Sequence, residues 1–323
     1  MNAERILTAA LVAVVVAVGG CPQQCPTTQL SIDELVGAHN ANAAAVPRLW
    51  ARAKISVTLN DPPLTWGSTL SLAPPNGLLL LFKGDDPLGP HDFVLVGREI
   101  AGVELFRVGS STAQGVYYFW YTFGDQAAAF WGRHALAGAP KLEGLPLDPG
   151  QLLAVLGVVQ VPGDRGPLPA AAMRMSTDPC AYVLTYIDRQ PLSNRIGLRR
   201  DVYYRWSDEQ PARPFRVDFL SPEGRRVLTA RLDDYAEIAP GPDEPVEGPR
   251  PMMPTDIVLE PVAWPGEDKP NPLRRVHIVL SEMTTDPDRG MREACDFDPP
   301  TANIHQVDAG LSPPTDGAEG GSP

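Results

Sequence analysis

Through most of the chain, apolar and polar positions alternate with a period of two. In "KISVTL", Ile55, Val57 and Leu59 fall on one face and Lys54, Ser56 and Thr58 on the other, the pattern of a half-buried strand. The segments "GLLLLFKG", "DFVLVG", "GVELFRVG", "GVYYFWYTF", "CAYVLTYID", "DVYYRW", "PFRVDFLS", "RRVLTARLDDY", "TDIVLEPV" and "RRVHIVLSEM" read the same way. Turn residues separate them, as in "PNG" at 75–77, "PEG" at 222–224 and "GEDKPNP" at 266–272. About eleven strands joined by hairpin-like turns predict one large antiparallel sheet, strongly curved or closed. The fold class expected is therefore mainly β with a few helices.

Three stretches break the period. Ser31-Ile32-Asp33-Glu34 is a capping box, and Leu35, Ala38, Asn42, Val46 and Leu49 follow at helical spacing until Pro47 ends or kinks the run. "LDPGQLLAVLG" has Asp148 as N-cap, Pro149 in the first helical position and Gly157 just past the end. "GDQAAAFWGRH" also reads as helical. His39, beside the first stripe, is expected to be a buried or rim histidine.

The strands differ in how many of their faces are apolar. "PFRVDFL" sends Phe215, Val217 and Phe219 one way and Arg216 and Asp218 the other, whereas "LLLLF", "FVLV" and "VYYFWY" are apolar on both faces. An antiparallel sheet usually leaves one face wet, so two apolar faces must both be covered. Few helical residues are available for that. Part of the apolar surface is accordingly expected to wall a cavity, built by Leu79, Leu81, Phe93, Leu95, Tyr118, Trp120, Phe215, Val217, Phe219, Ile278 and Leu280. The alternative is a fully packed sheet with helices on one side.

The amino end changes where such a body would sit. Arg5 precedes an apolar run from Ile6 to Val18, too short for a membrane span and followed by small residues and Cys21. Val18-Gly19-Gly20-Cys21 resembles a bacterial lipobox, which implies a signal peptide over 1–20 and lipid attachment at Cys21; an ordinary cleaved signal is the alternative. Pro22 stands where an inner-membrane retention signal would have aspartate, so the outer membrane, periplasmic face, is the expected location. Residues 21–32 then form a tether, 33–285 the folded domain, and 286–323 an acidic Pro/Gly-rich tail without apolar periodicity, expected to be mostly disordered.

Composition narrows the partners. The net charge is −12 with no basic stripe, which argues against nucleic acid. An exported protein permits a disulfide; Cys180 with Cys295 is the pairing expected once Cys21 carries lipid. Five scattered histidines form no H-E-x-x-H pair, and neither a G-x-S-x-G elbow nor a P-loop occurs. "DPDRG" at 286–290 lacks the third acidic ligand and closing glutamate of a calcium loop. No catalytic residue, metal site or cofactor is therefore nominated.

"HNANAAAVPRLWARAKISVTL", the stretch from "DFVLVGREIAGVELFRVG" through "LPLDPGQLLAVLGV", and "PFRVDFLSPEGRRVLTARLDDYAEI" with the last two strands together resemble the LolA/LolB-like superfamily of lipoprotein carriers and receptors. That resemblance implies a half-open β-barrel with helices as plug or lid, sheltering acyl chains of a lipid or lipoprotein cargo. The carriers' early Arg-Pro pair has only Ala73-Pro74 as counterpart here, and Leu88 in "DDPLGP" stands near the exposed apolar loop residue of the membrane-anchored receptors. The expected function is a non-enzymatic, membrane-anchored lipoprotein that binds lipid or lipoprotein acyl chains in an apolar groove. The alternative is a structural or interaction lipoprotein, its barrel filled, that docks a protein partner.

Overall fold

The computed structural model describes Cys25 and residues 29–60, 69–72, 76–84, 90–99, 101–123, 126–137, 147–161, 171–189, 196–205, 213–221, 224–242, 250–262 and 273–311. Helix α1 (Ile32–Ala44) leads into β1 (Arg48–Asn60), β2 (Thr69–Leu72), β3 (Asn76–Phe82), β4 (Asp92–Arg98), β5 (Glu104–Ser111), β6 (Val116–Phe123) and β7 (Gln126–Arg133). Helix α2 (Pro149–Val155) follows, then β8 (Ala171–Thr177), β9 (Cys180–Arg189), β10 (Ile196–Arg205), β11 (Pro214–Leu220), β12 (Arg226–Glu237), β13 (Met252–Pro261), β14 (Leu273–Thr284) and β15 (Ile304–Gln306).

These strands form one unclosed sheet in the order β15-β7-β6-β5-β4-β3-β1-β14-β13-β12-β11-β10-β9-β8, with β2 also paired to β1. The chain starts in the middle, steps outward from β3 to β7, crosses through α2 to the far edge at β8, and walks back strand by strand. β14 closes the circuit by pairing with β1 from Trp50↔Thr284 to Leu59↔Leu273. Every pairing is antiparallel except β15 on β7. Mainly β and an open sheet agree with the sequence reading; the count is fifteen described strands, not eleven.

"GDQAAAFWGRH" is a strand and not a helix, β7 with a short 3-10 turn at His134–Leu136. Its alanines are good helix formers, but here they give room to the aromatics of β6: Ala128 sits opposite Tyr121 and Ala129 opposite Trp120. Cross-strand packing overrides local propensity.

Both other helices start where their caps predict. The Glu34 amide donates to Ser31 Oγ at 3.2 Å and the Ser31 amide to Glu34 Oε2 at 2.7 Å. The Gly150 amide donates to Asp148 Oδ1 at 2.7 Å. Neither helix is a lid. Leu35 and Val36 of α1 and Leu152, Leu153 and Val155 of α2 belong to the same apolar cluster as the inner faces of β1, β3–β6 and β9–β14. They are core elements, because the stripe of each is buried against strands instead of spanning a separate hollow.

Helix α1 crosses the inner face of the second half of the sheet. The Leu30 amide donates to Tyr182 Oη on β9 at 2.9 Å, His39 meets Tyr204 on β10, and Asn42 reaches β13. The polar "HNAN" stretch is the means. Asn42 Nδ2 donates to Met252 O at 2.9 Å and Asn42 Oδ1 accepts from the Met252 amide at 2.7 Å. Asn40 makes the same two-way exchange with Val161, 2.8 Å each way.

Residues 286–311, read above as an unstructured tail, form a strap over the outer face of β3–β7. Cys295 and Ala294 cover Leu80, Phe82, Val94 and Val96, and Phe297 covers Val116, Tyr118, Trp120 and Ala129. Gly290 makes the approach possible: its φ is +83°, and a Cβ there would come within 2.6 Å of Leu80 Cδ2. Periodicity does not reveal such a strap, which contributes single anchor residues and not a repeating face.

Replacing Asn42 with alanine should remove two hydrogen bonds and cost about 2 kcal/mol, against about 1 kcal/mol for Ser31→Ala. Denaturant midpoints at unchanged slope measure both, and an Asn42→Ala protein as stable as the wild type would mean the clamp contributes nothing, since alanine is the better helix former.

Candidate functional site

The inner face is the candidate binding surface. Leu79 and Leu81 of β3, Phe93 and Leu95 of β4, Val217 and Phe219 of β11, and Ile278 and Leu280 of β14 all point there, none more than 3% exposed. The other three predicted wall residues lie on the opposite face. Tyr118 Oη donates to Cys295 O at 2.8 Å under the strap, and the Trp120 ring lies 5.8 Å beneath the Arg107 guanidinium. Alternation says which residues share a face but not which face is inner, and in β6, aromatic on both faces, the strap decides.

Phe215 is displaced by a bulge. Tyr203 pairs with Arg216 but the next residue, Tyr204, pairs with Pro214. The extra residue breaks the period of two and turns Phe215 outward, where it meets Tyr203 at 6.2 Å and Arg205 at 5.7 Å. Phe215 there helps line an outer depression of about 400 Å³ with Arg205, Arg216, Arg231, Asp233 and Asp256. Its arginines are paired already, Arg205 with Asp233 at 2.9 Å, Arg216 with Asp218 at 2.7 Å and Arg231 with Glu260 at 3.0 Å.

The inner face also carries a few polar groups beneath α1. His39 Nε2 lies 3.0 Å from Val159 O. A carbonyl only accepts, so Nε2 holds the proton and Nδ1 accepts from Tyr204 Oη at 3.1 Å. Burial pushes the His39 pKa below the ordinary imidazole range against the opposing pull of the Val159 bond. Both nitrogens are used in joining α1, β10 and the segment after α2, in keeping with the buried role expected. Arg200 Nη1 donates to Tyr186 Oη at 2.9 Å, and its guanidinium lies 5.2 Å from the Tyr186 and Phe219 rings.

One pair escaped the sequence reading, because its members lie 24 residues apart. His134 Nε2 is 3.1 Å from Ser110 Oγ, but Ser110 Oγ donates to His91 O at 2.8 Å. The serine proton is committed away from the imidazole, the reverse of nucleophile activation. Among the described residues, no group of three or more His, Cys, Asp or Glu is placed to hold a metal ion.

The disulfide differs from expectation. Cys180 pairs with Cys25, Cα to Cα 5.4 Å, and Cys295 is a free, buried thiol. Cys295 is part of the strap and packs against β3 and β4, across the sheet from Cys180 on β9. Burial pushes its thiol pKa up to about 12. Cys21, Leu88, Ala73 and Pro74 lie outside the described residues. Among the described residues, no helix is long and apolar enough to cross a membrane.

No family model matches the chain, and no curated protein matches it. Solved structures do resemble it. A DUF1329 family protein from Desulfovibrio piger ATCC 29098 shares 12% identity at a TM-score of 0.45, over 81% of this chain and 95% of that one. A domain named for outer membrane lipoprotein sorting, from Vibrio parahaemolyticus, shares 9% identity at 0.45, over 81% and 97%. The LolA superfamily protein NE2245 from Nitrosomonas europaea shares 12% at 0.39, over 79% and 93%.

Two outcomes test the buried groups. Folded Cys21→Ser protein should leave Cys295 unmodified by iodoacetamide at neutral pH and expose one thiol on denaturation; modification of the native protein would contradict the strap. Burial lowers the His134 pKa to about 4, so the unfolded chain binds the extra proton between about 4 and 6.5 and stability must fall with acidification in that window. The loss is about 3 kcal/mol at most, and His134→Gln should flatten it in pH-dependent denaturant titrations.

Proposed function

We propose that this chain is a non-enzymatic binding protein, tethered through a lipidated Cys21 to the periplasmic face of the outer membrane, that takes up acyl chains of a lipid or an acylated lipoprotein. The sheet acts as a half-open barrel whose apolar inner face receives the chain. The observation that carries this reading is where the inner face ends. It runs past the buried Arg200–Tyr186 pair to β8, an edge strand paired only with β9. There Met173 is half-buried and Met175 is 37% exposed, beside half-buried Leu30 and Ile32. Methionine is unbranched and adaptable, suited to a rim that closes on itself when empty and repacks around a hydrocarbon. Uptake would be driven by apolar burial, at about 25 cal/mol per Å², with little charge recognition.

A second reading keeps the interior permanently filled and uses the rim or the outer depression to dock a protein partner. The near-complete burial of the eight inner wall residues favours it. Phe219→Asp does not separate the two, since a charge at a 2% exposed core position unfolds the sheet. The rim does. Natively purified protein should yield lipid on organic extraction and mass spectrometry, and delipidated protein should bind a fluorescent fatty-acid analogue. Met173→Asp with Met175→Asp should weaken that binding roughly tenfold or more, about 1.4 kcal/mol per decade, with the thermal midpoint little changed. A well-folded wild type that neither co-purifies with lipid nor takes up the analogue would favour the filled sheet.

A further inference from the structure

We infer that the Cys25–Cys180 disulfide fixes the orientation of the molecule on its membrane, holding the tip of the β8–β9 hairpin against the bilayer surface. The inference rests on the lipidation of Cys21 proposed above and adds a direction to it. A lipoprotein on a free tether tumbles over the surface. Here the tether is cut short covalently. From Cys21 to the first point held by α1 and β9, the Leu30 amide on Tyr182 Oη, nine residues would reach about 30 Å when extended. The disulfide brings the first fixed point forward to Cys25, four residues from the lipid and about 14 Å of chain. Cys25 stands 5.4 Å, Cα to Cα, from Cys180, and Cys180 pairs with Thr177 across the hairpin turn. Cys180 therefore lies within about 20 Å of the acylated residue, and the tip one or two residues beyond it, by contour length alone.

The hairpin is built to face such a surface. Thr177, Asp178 and Pro179 at its tip are exposed, as are Arg174 and Met175 along β8. A cation and a polarizable apolar side chain at neighbouring positions, one on each face of this edge strand, suit the boundary between headgroup and acyl chain. The occupant committed to is the bilayer, because Cys25, fixed to this hairpin, stands only four residues after the lipidated Cys21 proposed above. The arrangement also disposes of the free edge. An edge strand is a template for pairing with another chain, and β8 held near the membrane is less accessible to one. It further points the methionine rim at the source of the acyl chains.

The test uses the full lipidated protein in vesicles of phosphatidylethanolamine and phosphatidylglycerol. A nitroxide is attached through p-acetylphenylalanine, which spares the cysteines, at Asp178 or at Val103, an exposed residue at the opposite end of the strands. Lipid carrying a chelated nickel ion should relax the label at Asp178 several-fold more strongly than at Val103. A Gly/Ser insertion of about ten residues after Pro22 keeps the disulfide and lengthens the tether; it should abolish the difference, as should Cys25→Ser with Cys180→Ser. Equal relaxation at both sites, in protein that stays on the vesicles, overturns the orientation and leaves the anchor standing. Protein that floats free of the vesicles overturns the anchor and the orientation with it.

Discussion

An unclosed sheet with apolar side chains on both faces has to hide both, and the rest of this structure follows from how it does so. In β3–β7 the inner face is covered by α2 and its flanking segment and the outer face by the strap at 286–311. The strap has no hydrophobic periodicity because it is held at discrete points. Arg292 reaches Asp92 at 3.2 Å, Ser111 Oγ donates to Asp296 Oδ1 at 2.7 Å, and the Phe297 amide donates to Gln114 Oε1 at 2.7 Å. At its end the fully buried Asp308 takes the Arg133 guanidinium at 2.9 Å, and β15 closes the edge of β7. Apolar burial drives the strap down, and the polar contacts, each costly to leave unmade once buried, fix its register.

The other half of the sheet needs no outer cover, because its outer face is a lattice of paired charges. Asp201 of β10 and Asp218 of β11 stand directly opposite each other, both nearly buried. Two carboxylates so placed repel. Each is answered by an arginine two positions earlier on its own strand, Arg199 through bonds of 3.1 Å and Arg216 through bonds of 3.0 and 2.7 Å. The two-residue period puts each arginine beside its carboxylate with no reach across the sheet. The bidentate geometry orders the planar groups, and Thr229 Oγ1 adds a donor to Asp218 at 2.9 Å.

What could be read beforehand follows from what is local. Caps at Ser31 and Asp148, the strand segments and the placing of α2 depend on neighbours within a few residues, and all are found as expected. The misreadings are the non-local ones. Phe215 reverses because one bulged residue resets the parity of a strand. Tyr118 and Trp120 go outward because a segment some 175 residues away covers them, and β7 is a strand because β6 requires small partners. The inference of a cavity had the same origin. It counted helices as the available cover for a two-sided sheet and had no means of counting the strap. The disulfide is non-local in the same way: Cys25 meets Cys180 across a 155-residue separation, a cross-link that removes much conformational freedom from the unfolded state.

Removing the strap-covered strands from consideration narrows where a ligand could enter. The outer face of β3–β7 is sealed, and that of β10–β13 is lined with paired charges. The β7 edge is taken by β15. The apolar inner face thus meets the outside at the β8 edge, where the covering chain is Leu30 to Ile32 and the rim is methionine. The same edge carries the disulfide. A fold that needed only stability could have placed its cross-link anywhere along the free β8–β9 hairpin; placed at Cys180, it joins the least covered margin of the core to Cys25, four residues after the lipid anchor proposed above. Cover, edge and disulfide converge on one corner of the molecule, and under the function proposed above that corner is where an apolar guest and a membrane meet.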